Sequence, residues 1–428
     1  MIRINNLVIF FGLLIFNFTI LMPSISSNVI QHDDYNYFNI NVHQRFFFIH
    51  PQAIFSYYFG RPIHGLYLNL SAVLFPFIGI FGLRIINILL STFSAFRLQT
   101  LIKQFSNDEN TGICVSLSYC LLPGIIFCEL LLGAAIGFLG FIFALEAGRI
   151  FNKFNYSNFL ALFLVFLSLC TAQTTSVGFF LYPLIKFFYK IDDKKTYLDF
   201  FYRVCCFAAI STLYFLILKF ISEPYFLMNY PEAAHVITDN SPYITSISFS
   251  PLHLIKKLFL IINMSMTQFL PHFKILSYLF CLTLLISSLI IFFKKNILKT
   301  SLFGFLFLII VTIVFSLPVL LAKNGIVYFR TTHYVCLSFI ILFFISHEKS
   351  LFLRKINSRV LLILIMFLSS LSLTNSSANF TNSEYLLFKN AYQYNYIYKP
   401  NSSLIINDEF YLPITDENLA KLRLKAEN

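Results

Sequence analysis

Twelve apolar runs order the chain: residues 7–22, 63–81, 84–103, 112–130, 133–150, 157–171, 174–189, 203–221, 274–293, 301–321, 327–346 and 359–374. Each is apolar and charge-poor enough to read as a helix among lipid or other helices. Several span only 15–18 residues, short of the roughly 20 that cross a bilayer. Between the runs lie an aromatic, polar stretch at 23–60, a long one at 222–255, and an Asn- and Tyr-rich tail after 375. Residues 254–270 mix lysine with apolar positions and predict an amphipathic helix on, or dipping into, the outer membrane surface. No internal repeat and no Gly/Ser linker interrupts the pattern.

Charge placement orients these runs. Lys186, Lys190, Lys194, Lys195 and Arg203 crowd one loop, Lys294, Lys295 and Lys299 a second, and Lys349, Arg354, Lys355 and Arg359 a third. Loops enriched in Lys and Arg face the cytoplasm, and Arg97, Lys103, Arg149 and Lys153 fit the same side. Loops 23–60 and 222–255, the turn at 322–326 and the tail then face outward. Twelve crossings would leave both termini on one side, and only one crossing fits between residue 60 and the cluster at 97–103. The run 63–81 carries His64, Asn69, Ser71 and Pro76, polar or helix-breaking positions that suit a segment lying in the interface.

The expected architecture is therefore an all-α, polytopic transmembrane helical bundle. It has about 11 crossings, N-terminus in and C-terminus out, with interfacial helices in the first outer loop. In the alternative, 63–81 crosses and a later pair forms a hairpin. Residues 1–374 make the bundle and 375–428 a small outer-face tail. The first run follows Arg3 and precedes Pro23-Ser24. It reads as an uncleaved anchor rather than a cleaved signal, because so many apolar segments follow it.

Composition narrows the class. The 428 residues are 58% hydrophobic and 12% charged, against about 25% charged in soluble domains. The net charge of +12 belongs to cytoplasmic loops rather than to a nucleic-acid surface, since no basic patch has soluble surroundings. With no Trp, interfacial anchoring falls to the 24 Tyr. The abundance of Phe, Ile, Asn and Lys reads as a codon bias. The cysteines at 114, 120, 128, 170, 205, 206, 281 and 336 lie in or beside apolar runs with no C-x-x-C spacing. They suggest small buried hydrophobes, not zinc ligands or a disulfide framework.

Candidate chemistry sits on the outer side. Asp33-Asp34, in Gln31-His32-Asp33-Asp34-Tyr35, is the only adjacent acidic pair in the first hundred residues. Either it caps a short helix, or one carboxylate serves as a general base, ionised near neutrality and within reach of an incoming hydroxyl. Neighbouring side chains of an extended stretch point opposite ways, so one of the two faces the substrate. Arg61, in Tyr58-Phe59-Gly60-Arg61-Pro62-Ile63, and Arg45 run against the positive-inside trend. Each is a snorkelling cation or, for Arg61, a bidentate phosphate ligand. Lys323 and Arg330 flank Asn324-Gly325, and Arg330 opens the run 327–346 as a helix-end anchor or as a functional cation. Glu129 is the only acid between residues 110 and 145. It is solvated at a helix end or, facing Asp33 and Asp34, completes an acidic cluster for a possible divalent cation. His32, His43, His50 and His64 read as interfacial residues.

This pattern of a first inward-to-outward helix, an acidic pair in the first outer loop, and Gly60-Arg61-Pro62 leading into an apolar run resembles the GT-C superfamily of polytopic glycosyltransferases. It is most similar to bacterial O-antigen glucosyltransferases of the serotype-conversion type. The resemblance covers roughly residues 1–135 by motif and Arg330 by position. It implies inverting transfer of a sugar from a polyprenyl-phosphate donor to a glycan acceptor at the periplasmic face of the inner membrane. It also implies an Asp33 or Asp34 base, a donor-phosphate cation at Arg61 or Arg330, with Lys323 beside it, and an acid in the second outer loop at Glu129. The large soluble C-terminal domain of some relatives is missing, since only about 50 residues follow the bundle. The bilayer is then a partner and nucleic acid is not. Rival readings are a lipid-linked glycan transporter or flippase, which would place ionisable residues near the bilayer midplane, an O-antigen polymerase, and a structural or assembly protein.

Overall fold

The computed structural model describes residues 5–26, 56–57, 60–130, 134–151, 157–189, 194–229, 250–270, 274–282, 310, 312–316, 320, 329–349 and 359–375. Asp33, Asp34, Arg45 and Lys323 lie outside these residues, as does the tail after 375. Among the described residues every regular element is helical.

Helix α1 (Asn6–Ser26) runs through Pro23 and ends four residues past the apolar run that predicts it. Helix α2 (Pro62–Lys103) opens on Pro62, whose fixed φ and missing N–H suit a first helical turn. It is kinked at Gly79, whose φ of 63° and ψ of −171° are non-helical. The stretch long and apolar enough to cross a membrane begins beyond that kink, at Phe81, and ends at Lys103. Such a kink needs glycine, because a side chain in that φ region would strike the backbone.

The run 112–130, expected as one helix, is two: α3 (Glu109–Cys120) and α4 (Pro123–Leu130). They meet at a 57° bend. Pro123 disfavours helical backbone at the residue before it and lacks the N–H that would continue the ladder. Hydropathy passes smoothly over this break, so the apolar pattern alone hides it. Helices α5 (Ile136–Ile150), α6 (Ser157–Thr171) and α7 (Leu181–Tyr189) follow, the last preceded by a 3-10 segment at Gln173–Phe180. α5 and α6 pack so closely at Gly140 that a Cβ there would collide with the Thr171 and Thr175 hydroxyls. Small residues at close crossings are what drive association where lipid is as apolar as the side chains. Helix α8 (Lys194–Ile217) continues through a π turn (Leu218–Ser222) into α9 (Glu223–Asn229). The predicted amphipathic segment is α10 (Pro251–Thr267), and α11 (Phe329–Lys349) and α12 (Arg359–Asn375) complete the labelled elements.

Three described helical stretches are long and apolar enough to cross a membrane: Asn6–Pro23, Phe81–Lys103 and Leu198–Ser222. The bent α3–α4 pair makes a fourth if it is one span, and α6, α11 and α12 hold shorter apolar stretches. Many large side chains on α1, α6 and α8 face outward, among them Phe11, Ile15, Phe159, Leu160 and Phe201. Apolar outer surfaces of this kind are what a lipid-embedded bundle presents.

One end of the bundle is laced by charge. Glu146 of α5 takes both Arg97 of α2 and Arg149, the latter at 2.8 Å. Asp108 caps α3 through the backbone N–H of Asn110 and also pairs with Arg359 of α12. Glu348 of α11 accepts from Tyr189 and from the Ser106 hydroxyl and Asn107 N–H between α2 and α3. Arg203 of α8, only 2% exposed, donates to the carbonyls of Gly148 and Phe151, at 2.7 and 2.8 Å. Its guanidinium also lies over the Phe151 ring and beside Asp199. The cations at 97, 149, 186, 203 and 359 thus gather at one end of the bundle.

Candidate functional site

Two polar constellations stand apart from that charged end. The first surrounds Arg61. Gly60 adopts a left-handed φ of 71°, and the N–H groups of Gly60 and Arg61 close back on the carbonyls of Tyr57 and Ser56. A Cβ at Gly60 would lie 2.7 Å from the Tyr214 hydroxyl, so both backbone angle and space require glycine here. Tyr214 of α8 donates to the Gly60 carbonyl at 2.9 Å and accepts from Gln173 Nε2 at 2.8 Å. Gln173 Oε1 in turn accepts from Arg61 Nε at 2.6 Å. The turn before α2, the start of the 3-10 segment and the far half of α8 are thereby joined, and the guanidinium is held in one orientation.

The second constellation is buried between α1, α2 and α4. Asn17, in the middle of α1, is 1% exposed, whereas nearby Thr19 turns its hydroxyl back to the Ile15 carbonyl of its own helix. Its Nδ2 lies 3.1 Å from the hydroxyls of Ser91 and Thr92 and 3.2 Å from Glu129 Oε1. Ser91 also donates to Glu129 Oε1, while Asn87 Nδ2 donates to the Glu129 backbone carbonyl at 3.0 Å. Tyr67 donates to Asn87 Oδ1 at 3.0 Å. Arg84, Asn87, Ser91 and Ser94 recur at helical spacing on one face of α2 and are all buried. Glu129 itself is 1% exposed, enclosed by the bundle rather than solvated at a helix end.

Of the six residues singled out from sequence, Arg61 and Glu129 are described with their side chains, and they are held by separate sets of partners. Arg330 lies in the first turn of α11. Gln268, just beyond α10, donates to Thr332 of that same turn at 2.8 Å, so the amphipathic helix is anchored at Arg330's end of α11. Among the described residues no group of three His, Cys, Asp or Glu side chains is placed to hold a metal ion. Gln173, Tyr214, Asn17, Asn87 and Ser91 were not apparent as site residues from sequence. The signal available was the intrusion of Asn17, Asn87, Ser91 and Tyr214 into apolar runs, while Gln173 falls between two of them.

No family model, no curated protein and no solved structure matches this chain.

Proposed function

We propose that the chain is a membrane glycosyltransferase that moves a sugar from a polyprenyl-phosphate donor to a surface-glycan or lipid-linked acceptor. The proposed setting is the periplasmic face of a bacterial inner membrane, on a bundle of about 11 crossings. The charged end is then cytoplasmic, and the Arg61 constellation lies at the outer face. Arg61 carries the reading: a cation held by Gln173, itself bonded to Tyr214, at the mouth of α2 suits a phosphate that leaves with its charge. A leaving group already anionic needs a positioned cation more than an acid. Asp33 or Asp34, about one loop away in sequence, takes the acceptor's proton, and water is not required because the incoming hydroxyl is the nucleophile. The sugar's configuration inverts in a single displacement. Arg330 and Lys323 would share the donor phosphate with Arg61. The donor's lipid tail stays in the bilayer, so little soluble protein is needed.

The test replaces Asp33 and Asp34 separately by Asn and compares surface glycans by mass spectrometry at equal protein level. Loss of a sugar in one variant supports the reading, and an unchanged glycan in both removes it.

A second reading draws on Asn17, Asn87 and Glu129. Polar side chains enclosed at mid-helix depth are what a lipid-linked glycan transporter would carry. Transfer of labelled sugar by the purified chain separates the two.

A further inference from the structure

The Asn17–Glu129 constellation has chemistry of its own that does not rest on the glycosyltransferase reading. Two of its oxygens, Glu129 Oε2 and Asn17 Oδ1, are fully buried and have no hydrogen-bond partner. They belong to groups that are themselves hydrogen-bonded to each other, through Asn17 Nδ2 and Glu129 Oε1. Ser91 Oγ and Thr92 Oγ1 complete the cluster. Acceptor oxygens enclosed without donors are costly in an apolar interior. An ionised carboxylate there costs more unless a positive charge accompanies it. Among the described residues no cationic side chain lies within ion-pairing distance of Glu129. Its carboxylate is met by an amide and a hydroxyl. Arg84, the nearest buried cation along that face of α2, lies two turns before Ser91.

We infer that Asn17, Ser91, Thr92 and Glu129 form a binding site for one alkali cation, enclosed between α1, α2 and α4. Asn17 turns its Nδ2 to Ser91, Thr92 and Glu129 Oε1 in the structure, and a half-turn of the amide that brings the partnerless Oδ1 there instead makes the donor set all oxygen, which suits a hard ion. It holds a single carboxylate, which balances one positive charge and no more. The neighbouring Asn87 and Tyr67, joined to the Glu129 carbonyl and to each other, fix the backbone that carries the carboxylate. A bound ion would join the first helix of the chain to α2 and α4, so occupancy would tighten the packing of α1.

The test uses the purified full chain in detergent, with radioactive Na+ as probe and Li+, K+ and choline as competitors. Saturable binding of about one Na+ per chain is expected, displaced by unlabelled alkali ions and not by choline. Thermal unfolding should shift upward in the binding ion relative to choline. Glu129→Gln should weaken binding roughly tenfold or more, because it removes the one charge that balances the ion. A purely structural hydrogen-bond role would instead leave the unfolding temperature of the wild-type chain the same in Na+ as in choline. Should Glu129→Gln not fold, Thr92→Val, which removes one oxygen at nearly constant shape, should also weaken binding. The inference is overturned if the folded wild-type chain neither binds nor is stabilised by Li+, Na+ or K+ beyond choline. Stabilisation by acidification alone, with the alkali ions inert, overturns it in favour of a protonated carboxyl. Unaltered binding by folded Glu129→Gln overturns it as well.

Discussion

Arg61 Nε and Gln173 Oε1 meet at 2.6 Å across 112 residues of chain. That bond fixes the plane of a guanidinium at the start of α2 from the start of the 3-10 segment. A hydrogen bond to a charged group is worth about 1.5–3 kcal/mol. Under the proposed function, Arg61→Ala should abolish transfer. Gln173→Ala should lower kcat/KM by roughly ten- to a hundredfold through misorientation of the cation. Gln173→Glu, which retains the acceptor oxygen, should restore part of it. Transfer of labelled sugar by membranes carrying each variant at matched levels checks the order. Equal activity of Gln173→Ala and wild type would sever the link.

The Gly60 turn yields a comparison with its own control. Gly60 and Gly79 share a left-handed φ, 71° and 63°. Only at Gly60 would an added Cβ meet other atoms, the nearest being the Tyr214 hydroxyl at 2.7 Å, whereas nothing lies within 4 Å of it at Gly79. Gly79→Ala should cost only the backbone penalty of its φ of 63° and ψ of −171°, a region essentially confined to glycine, on the order of 1–3 kcal/mol. Gly60→Ala should cost more, and adding Tyr214→Phe, which removes the colliding oxygen, should recover part of the difference. Thermal unfolding in detergent reads all three.

The charged end separates buried from exposed ion pairs. Arg203 bonds two carbonyls and Asp199 while 2% exposed. Arg149 pairs with Glu146 with its side chain 43% exposed. Removing one partner of a buried pair costs about 3–5 kcal/mol, and an exposed pair contributes about 0–1 kcal/mol. Arg203→Met should therefore destabilise the bundle severely, with Arg149→Ala nearly silent. Comparable losses in unfolding temperature would contradict the placement of Arg203.

The charged end was legible as a side, but not as a set of contacts. Lys and Arg density marked 97, 149, 186, 203 and 359 as one face because orientation follows composition. Asp199–Arg203 and Glu146–Arg149 are neighbours one turn apart on single helices, whereas only packing brings Glu146 to Arg97 and Asp108 to Arg359. The α3–α4 break was missed because residues 112–130 stay apolar across it, although Pro123 stood in view. Arg61 stood out because an arginine in a Gly-Arg-Pro turn is locally unusual. Gln173 did not, since residues 172–176 look like an ordinary polar turn between two apolar runs. Asn17 shares its apolar run with one other polar side chain, Thr19. Its meaning depends on Ser91 and Glu129, more than 70 residues away.

Orientation is the last expectation to test, and two exposed asparagines suit it. Asn110 stands in the first turn of α3 at the charged end, and Asn229 closes α9 at the opposite end. Lys/Arg-rich ends face the cytoplasm, so the proposed topology places Asn110 inside and Asn229 outside. In a variant with the native cysteines replaced, Asn229→Cys should react with a membrane-impermeant maleimide in intact cells. Asn110→Cys should react only after the membrane is opened. The reverse pattern would turn the bundle over and put Arg61 in the cytoplasm, away from any donor headgroup at the outer face. Labelling of both positions in intact cells would mean that α3 through α9 do not cross as an ordered set. Either result would remove the outer-face glycosyltransferase reading while leaving the Asn17–Glu129 site open to its own test.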